Sequence, residues 1–379
     1  APGAGAGDAS LGAIAQVLVT GSAAQVKRGA QEWADLGGRD PQAAVLAALS
    51  ACLELAGLPR GILLADDLHA APADFLARLP DWIKAEGLDL AQYPLQKSGR
   101  RTVGNFERFW AVGLGSQSSM AALHSKLLPD LCKWLLQLQR NSVRPVRHSG
   151  TVAALSVCEA LGLHLNSLRR IQETLQKQAD AGGVARAAQL EKDLEQATEG
   201  LREIGELRKA LLEEIPPRSR DVSDVIRLQT LCQVERLMRN DPDRYLTNKW
   251  TLRVFLMIHD PSADVRLKAI SIINQWYAAS PDRSEAVQEH LGSVATRCLS
   301  HLVERVGDVD TRVAVAALKC LRLASLADRL EDNDFDNIAN LCIGSPDPAV
   351  CEEAACFINA HVFADPGILL PRAPTARKP

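Results

Sequence analysis

The sequence predicts an all-α protein, built as a solenoid of helical repeats with one projecting antiparallel helical hairpin. At 379 residues, the chain is too long for one ordinary hydrophobic core, so it needs either several domains or an array in which neighbours bury each other's faces. Only 4% of the residues are aromatic, and the apolar residues recur at helical rather than strand spacing. A helical repeat array satisfies both observations.

Four segments share a pattern in which an Asp, Asn or Ser precedes a Val-containing stretch that opens an apolar helix. They are 141–147, 260–266, 307–313 and 345–350. The polar side chain can cap exposed backbone N–H groups, and Pro is tolerated in the first helical turn. Asp264, Asp310 and Asp347 are 46 and 37 residues apart, which brackets the ~40 to 47 residues of HEAT and armadillo units. The chain is therefore predicted to contain HEAT-type repeats.

This spacing is interrupted between Arg147 and Asp260, where a coiled-coil pattern appears. Apolar residues alternate in steps of four and three along 190–215, with one polar position at Arg208. A second set of leucines lines 161–175. Two long amphipathic helices are predicted here.

The two helices are expected to pair as an antiparallel hairpin, with 150–180 against 184–214. Gly182-Gly183 between them favours a chain reversal, and Pro216-Pro217 ends the second helix. Such a hairpin is either a solvated strut or an arm with a partner-binding tip.

The charge distribution is uneven along the chain. The net charge is -3 and the pI is near 6.3, which argues against general nucleic-acid affinity. However, nine basic residues face two acidic ones from Lys97 to His148, and five basic residues face twelve acidic ones from His301 to Leu370. A basic ridge suits phosphates through backbone contacts, although a solvated helix face would look similar. The candidate DNA-binding residues are Lys97, Arg100, Arg101, Lys133, Arg140, Arg144 and Arg147, with Arg144 and Arg147 expected to flank a turn.

Nine cysteines are scattered without a Cys-x-x-Cys pair or a regular framework. This usage indicates a reducing compartment rather than disulfides or a zinc site. The local group of Cys342, Cys351, Cys356 and His361 is assigned to packing, because cysteine is among the most frequently buried residue types.

No motif predicts an active site. Gly113-Leu-Gly115 lacks the third glycine of a dinucleotide loop, and no P-loop or His-Glu-x-x-His pattern occurs. His259 and His301 are interpreted as lone histidines near helix ends, and Arg101 and His148 lack a third group that would complete a triad. We expect no enzymatic activity, no catalytic residue, no cofactor and no metal.

No targeting or membrane signal is predicted. The Ala1-Pro-Gly start lacks the pattern of a signal peptide, and no apolar stretch reaches the ~20 residues of a membrane span. We expect a soluble protein with no membrane partner. Because the sequence begins without Met and ends in the tail 371–379, we expect it to be part of a longer chain.

The order of features from end to end resembles the stromalin (stromal antigen, STAG) subunit family of cohesin. A Trp-containing helix, a Tyr-Pro-Leu segment, a Phe-containing helix and a basic turn occur at 32–33, 93–95, 106–109 and 143–155. Segments similar to the family's conserved domain follow at 218–221, 243–248, 257–260, 265–268 and 310–315. The resemblance covers about 25–363, and His259-Asp260 followed by Val265-Arg-Leu-Lys268 is its most specific part.

The resemblance implies a nuclear, chromatin-associated scaffold that binds the kleisin subunit of cohesin, contacts the SMC ATPases indirectly and holds double-stranded DNA on basic surfaces. It also implies a groove for Phe-containing regulator peptides. Ser219 and Leu256 stand where the family has a tyrosine and a tryptophan, which the groove would use as walls. The groove residues carried over to this chain are Arg220, Asp221, Trp250, Arg253, Leu256 and Arg297.

The predicted organisation has five parts. They are a low-complexity or disordered start (1–24), a helical region with the basic residues (25–149), the long hairpin (150–215), the stromalin conserved domain of HEAT repeats (216–366) and a tail (367–379). Two other functions stay open. One is a generic HEAT or armadillo adaptor, such as a transport receptor that binds a basic peptide on its acidic half, and the other is an all-helical enzyme.

Overall fold

The computed structural model describes residues 14–97, 99–115, 127–180 and 187–361. Every regular element in those ranges is a helix, so the predicted all-α fold is confirmed. The chain divides into two compact units, here named unit 1, which ends at Ile226, and unit 2, which begins at Arg227.

The helices of the first part of the chain are short or medium in length, except for two long ones. They are α1 (Ile14–Thr20), α2 (Ala23–Arg39), α3 (Pro41–Leu55), α4 (Pro72–Ala85), α5 (Pro94–Lys97), α6 (Gly99–Gly115), α7 (Leu128–Leu138), α8 (Arg144–Asp180), α9 (Ala187–Glu213) and α10 (Ile215–Arg218), with a 3-10 turn at Ala65–His69.

The start of the chain corrects one expectation. The stretch 1–24 was predicted to be disordered or of low complexity, but α1 begins at Ile14 and buries Leu18 completely. Ser22 then caps α2, since its hydroxyl accepts the Gln25 N–H and its own N–H donates to the Gln25 side chain at 2.7 Å. The rest of the predicted start, 1–13, and the tail at 367–379 lie outside the described residues.

Aromatic side chains form the centre of the unit 1 core. Trp33 on α2 packs against Phe109 and Trp110 on α6, with ring centroids 5.6 and 5.4 Å apart, and its indole N–H donates to the Ala44 carbonyl at 2.9 Å. Gly113 makes this contact possible, because a Cβ there would lie 2.8 Å from the Trp33 ring. Three aromatic side chains of α2 and α6 thus pack together beside α3.

The predicted hairpin is confirmed, and α8 and α9 pack antiparallel. Near its base, Arg208 Nε of α9 donates to the Cys158 carbonyl of α8 at 3.1 Å, and farther out the Gln172 amide donates to the Thr198 hydroxyl at 2.9 Å. Arg208 is the polar position in the apolar pattern, and its buried guanidinium satisfies a carbonyl across the hairpin. The predicted reversal at Gly182-Gly183 lies outside the described residues.

Helix α8 begins six residues before the predicted start at 150, and its apolar part is longer than predicted. One 18-residue window of it would suffice to cross a membrane by length and composition alone. However, 61% of that window is buried inside the protein, and Val152, Val157 and Leu161 are almost completely covered. Packing in the core of unit 1 therefore accounts for its apolar residues.

The remaining helices follow the pattern of paired repeats. They are α11 (Asp224–Asn240), α12 (Pro242–Tyr245), α13 (Asn248–Leu256), α14 (Ala263–Ala278), α15 (Glu285–Glu304), α16 (Thr311–Leu321), α17 (Ala324–Ala327), α18 (Asp332–Gly344) and α19 (Pro348–His361), with 3-10 turns at Met257–His259, Ser280–Asp282 and Arg305–Gly307.

Within unit 2, one layer of helices is formed by α14, α16 and α19, which pack in that order. The partner helices α13, α15 and α18 precede them in sequence, and each pair is joined by a short turn. All three pairs contribute fully buried aliphatic residues, such as Ile272, Val294 and Ile338. This alternation is the HEAT-type arrangement that the spacing of the turns predicted.

Candidate nucleic-acid and partner interfaces

Five turns between helices repeat one local geometry. In each, the side-chain Oδ1 of an Asn or Asp accepts the backbone N–H two residues further along, at 2.8 to 2.9 Å. The five residues are Asn141, Asp221, Asp260, Asp308 and Asp347. Such a bond satisfies a donor at the start of the following helix. Four of these turns fall in segments identified from the sequence, whereas the turn at Asp221 was missed.

An arginine that lies six residues after a turn residue pairs with the aspartate of another turn within its own unit. In unit 1, Arg147 Nε and Nη2 lie 2.8 and 3.1 Å from the two oxygens of Asp221, and Nη1 donates to the carbonyls of Asn141 and Ser142. This is bidentate pairing, and each of the three guanidinium nitrogens makes at least one hydrogen bond.

The same arrangement occurs in unit 2. Arg266 pairs with Asp308 at 2.9 and 2.7 Å and donates to the carbonyls of Asp260 and Pro261. Arg227 pairs with Asp260 at 2.7 Å through both nitrogens. We call these three pairs, Arg147 with Asp221, Arg227 with Asp260 and Arg266 with Asp308, the turn ladder.

The turn ladder removes Arg147 from the candidate DNA-binding residues. Arg147 was expected to flank a turn with Arg144 and to project from a ridge, but both lie in the first turn of α8, and Arg147 is only 9% exposed. Its guanidinium is held by an aspartate and two carbonyls inside the protein. Because all three guanidinium nitrogens are engaged in the fold and the side chain is buried, Arg147 is not placed to hold a phosphate.

Asp221 is likewise removed from the candidate peptide groove. Arg218 Nη1 lies 2.7 Å from Asp221 Oδ2, so two arginines converge on this one buried carboxylate. Burial alone would raise the pKa of Asp221, but the hydrogen bonds and charges of Arg147 and Arg218, with the Ser223 N–H, hold it below its ordinary value. Asp221 is therefore an ionised structural residue of unit 1.

The other candidate DNA-binding residues remain at the surface of unit 1. Lys97 ends α5, Arg100 lies in the first turn of α6, and Arg144 begins α8; all three are exposed. The Tyr93 hydroxyl lies 2.8 Å from His148 Nδ1, which ties the segment leading into Lys97 to the first turns of α8. This bond brings the basic ends of α5 and α8 into one region of unit 1.

Arg101 is exposed but has a structural task. Its Nη2 donates to the carbonyls of Thr20 and Gly21 at 2.8 and 3.3 Å, and Asn105 donates to Leu18 and Gly21 beside it. These bonds satisfy carbonyls at the end of α1. Because no carboxylate is involved, the positive charge of Arg101 is not cancelled.

Lys133 and Arg140 lie two turns apart along α7 and just after it, and both are exposed. They differ in their partners. Arg140 forms an ion pair with the buried Glu214, whereas Lys133 makes no ion pair among the described residues. Among the candidate DNA-binding residues, those that are exposed and have no carboxylate partner within the described ranges are Lys97, Arg100, Arg101, Lys133 and Arg144, and we call them the basic surface. Lys126, counted in the same basic stretch, lies outside the described residues.

The predicted groove residues fall in both units. Arg220 is exposed in unit 1. In unit 2, Trp250 is only 6% exposed and packs edge-on against Tyr245 with centroids 5.9 Å apart, so it belongs to the core and does not form a groove wall.

The outer surface of α13 is apolar. Leu256 is 67% exposed, and Leu252, one turn earlier, is 36% exposed. Arg253 lies between them on the same helix. Arg297 is exposed on α15. The two helices are in contact, because the Thr251 hydroxyl of α13 lies 3.1 Å from His290 Nε2 of α15. The unit 2 candidates on these two neighbouring helices are thus Arg253, Leu256 and Arg297.

Sequence reasoning missed the turn ladder, although a signal was present. An Asn or Asp is followed six positions later by Arg at 141 and 147, at 221 and 227, and at 260 and 266. This repeat identifies which arginines are structural, and charge counting does not.

Two family models match the chain. Residues 91–198 match the STAG domain, and residues 220–291 match the stromalin conservative domain. The first match contains α5 to α8 and the first part of α9, and the second begins one residue before Asp221.

Similar proteins include cohesin subunits of yeast and animals. Cohesin subunit psc3 of Schizosaccharomyces pombe is 21% identical over 346 residues, which are 84% of this chain and 34% of that protein. Cohesin subunit SA-3 of Homo sapiens is 26% identical over 263 residues, which are 66% of this chain and 21% of that protein. This chain therefore spans about a third or less of the length of these relatives.

A solved structure has the same fold. The cohesin subunit Scc3 from Z. rouxii, residues 88–1035, superposes with a TM-score of 0.69 at 17% sequence identity, covering 94% of this chain and 43% of that one.

Proposed function

The chain belongs to the cohesin stromalin family, and from that premise we propose that it is a non-enzymatic cohesin scaffold that binds the kleisin subunit and grips duplex DNA with its basic surface. The observation that carries the DNA proposal is the contrast between Arg147 and the basic surface of unit 1. Arg147 is neutralised by Asp221 in the interior, whereas Lys97, Arg100, Lys133 and Arg144 are exposed without a carboxylate partner in the described residues.

Such cations suit the DNA backbone rather than the bases. Phosphates carry the density of negative charge that lysine and arginine neutralise, and such contacts position a protein without reading sequence. The net charge of -3 over the whole chain restricts this attraction to the basic surface. We therefore propose binding that is independent of DNA sequence and strongly dependent on salt.

The kleisin proposal rests on the family and on the solenoid. Repeat solenoids offer long surfaces along which an extended chain can lie, and the curated relatives are named cohesin subunits. We propose that this segment takes part of the kleisin and meets the SMC ATPases through it, in the nucleus on chromatin, in support of sister-chromatid cohesion.

A second proposal concerns the face of α13 and α15 in unit 2. Leu252 and Leu256 expose apolar area one helical turn apart, and Arg253 and Arg297 provide positive charge beside it. An aromatic side chain next to an acidic one would satisfy both features. We propose that this face, named the α13 face, binds a Phe-containing acidic peptide, although Leu256 replaces the family's tryptophan.

The kleisin proposal is tested by a pull-down of the 379-residue chain with kleisin fragments that tile the whole subunit. We expect retention of one contiguous set of fragments in physiological salt. If no fragment is retained while import factors or basic cargo peptides are, the generic adaptor function replaces the proposal.

A further inference from the structure

Two histidines and a glutamate converge in unit 2, outside the basic surface and the α13 face. His259, His301 and Glu304 each offer one ligand atom, and these three atoms all lie within 4.8 Å of one another. The two imidazole rings meet edge to face with centroids 5.0 Å apart, and His301 Nδ1 is 3.9 Å from Glu304 Oε1. The two histidines, which the sequence analysis interpreted as unrelated, are therefore neighbours.

Consecutive repeats supply the three side chains. His259 ends the 3-10 turn that follows α13 and directly precedes Asp260, whereas His301 and Glu304 lie in the last turn of α15. Arg266 donates to the Asp260 carbonyl and pairs with Asp308, just beyond Glu304. The buried ion pair of Arg266 and Asp308 thus fixes the separation of the two helix ends.

The donor types suit a borderline transition metal. Two imidazole nitrogens and one carboxylate oxygen are ligands that Zn²⁺ takes in proteins, in contrast to Mg²⁺ and Ca²⁺, which prefer oxygen alone. The carbonyl groups at the end of α15 also favour a positive charge there. All three side chains are exposed, so an ion has direct access to them.

The neighbouring charges leave the ligand atoms usable. Arg305 approaches the other oxygen of Glu304, Oε2, at 3.7 Å, and its Nη1 lies 3.3 Å from Asp308. Asp308 thus offsets part of the Arg305 charge, and Oε1 of Glu304 faces His301.

We propose that His259, His301 and Glu304 form a Zn²⁺ site that links two consecutive repeats of unit 2. The three side chains supply three of the four positions of a tetrahedral ion, with water or a donor from a bound partner in the fourth. Because the ligands come from both repeats, the ion ties one helix end to the next and stabilises their packing.

The test is a competition titration of Zn²⁺ between the reduced 379-residue chain and a chromogenic chelator. The variants are His259→Gln, His301→Gln and Glu304→Gln, each of which removes one ligand with little change of size. The matched control is His69→Gln, because His69 is an exposed histidine of unit 1 outside the cluster. Thermal unfolding without metal checks that each variant is folded.

We expect one saturable equivalent of Zn²⁺ in the wild-type chain and in His69→Gln. We also expect Zn²⁺ to bind at least about tenfold more weakly in His259→Gln and His301→Gln. Loss of a residue that only hydrogen-bonds to a zinc ligand already weakens metal binding by about tenfold or more. Co²⁺ should give a spectrum without thiolate charge transfer. The proposal is overturned if no saturable equivalent binds, or if the two variants bind as tightly as the control, because zinc would then be held by the cysteines.

Discussion

Arg147 and Asp221, 74 residues apart in the sequence, form a buried two-bond ion pair, with Nε 2.8 Å from Oδ2 and Nη2 3.1 Å from Oδ1. The pair joins the start of α8 to the turn that follows the hairpin, so it links the two ends of the hairpin at its base. Charge counting assigns Arg147 to the DNA surface, whereas its contacts assign it to the fold. The same geometry at Arg266 and Asp308 indicates that this is a repeated device of the solenoid.

Removing one member of this pair is expected to destabilise unit 1 severely. Arg147→Ala leaves the Asp221 carboxylate buried with fewer partners, and the loss of one partner of a buried pair costs about 3 to 5 kcal/mol. The measurement is the free energy of unfolding from denaturant titration. In the control Arg202→Ala, which breaks the exposed pair with Glu199, the midpoint is expected not to move. A change in Arg147→Ala as small as that control would contradict the structural role.

His148 is expected to make stability depend on pH. Burial, with the charge of Arg144, lowers its pKa from the ordinary value of 6.5 to about 4, although Asp221 opposes this. Between these values the unfolded state binds a proton that the folded state does not, so stability falls as pH falls from 6.5 to 4, by about 3 kcal/mol over the window.

The variant His148→Gln isolates this contribution. Glutamine does not titrate, and it can keep a bond to the Tyr93 hydroxyl. The difference in unfolding free energy between wild type and variant should therefore shrink steadily from pH 6.5 to 4.5. A difference that stays constant with pH would show that His148 titrates normally.

Gly150 is expected to be required where α8 crosses α7. A Cβ there would lie 2.6 Å from the Leu138 Cβ and 2.8 Å from the Gln139 backbone nitrogen, so the helices would have to separate. Gly150→Ala should destabilise the protein by about 1 to 3 kcal/mol through overpacking, although alanine has the better helix propensity. Gly205→Ala, in open space on α9, should instead stabilise by about 0.5 to 1 kcal/mol. Equal shifts in the two variants would refute the close approach.

The α13 face is expected to bind a Phe-containing acidic peptide through Leu256 and Arg297. Titration of a fluorescent peptide should give saturable binding that Leu256→Glu and Arg297→Glu each weaken at least about tenfold, because they remove the apolar contact and reverse the charge. The control is Arg244→Glu, an exposed arginine on α12. If wild type and all variants bind alike, or none binds, the face has no such role.

The hairpin and the HEAT-type turns could be predicted because their patterns are local. The alternation of Leu161, Leu165, Ile204 and Leu211 is visible in the sequence, and all four are buried in the structure. The turn ladder was not predicted, since its partners are 33 to 74 residues apart. His259 and His301 also meet only through the stacking of repeats. Trp250 was misassigned because a sequence does not tell a core aromatic residue from one in a groove.

DNA binding by the basic surface is tested most directly by its dependence on salt. The variant Lys97→Glu/Arg100→Glu/Arg144→Glu reverses three charges of the basic surface, and Arg170→Glu/Lys177→Glu/Lys192→Glu reverses three exposed charges of the hairpin. Binding of two unrelated duplexes is measured from low to physiological salt. We predict that the first variant loses affinity for both duplexes and that its log K against log salt slope falls by up to about 3, whereas the hairpin variant keeps the wild-type slope. Equal slopes in all three proteins would contradict DNA binding by the basic surface.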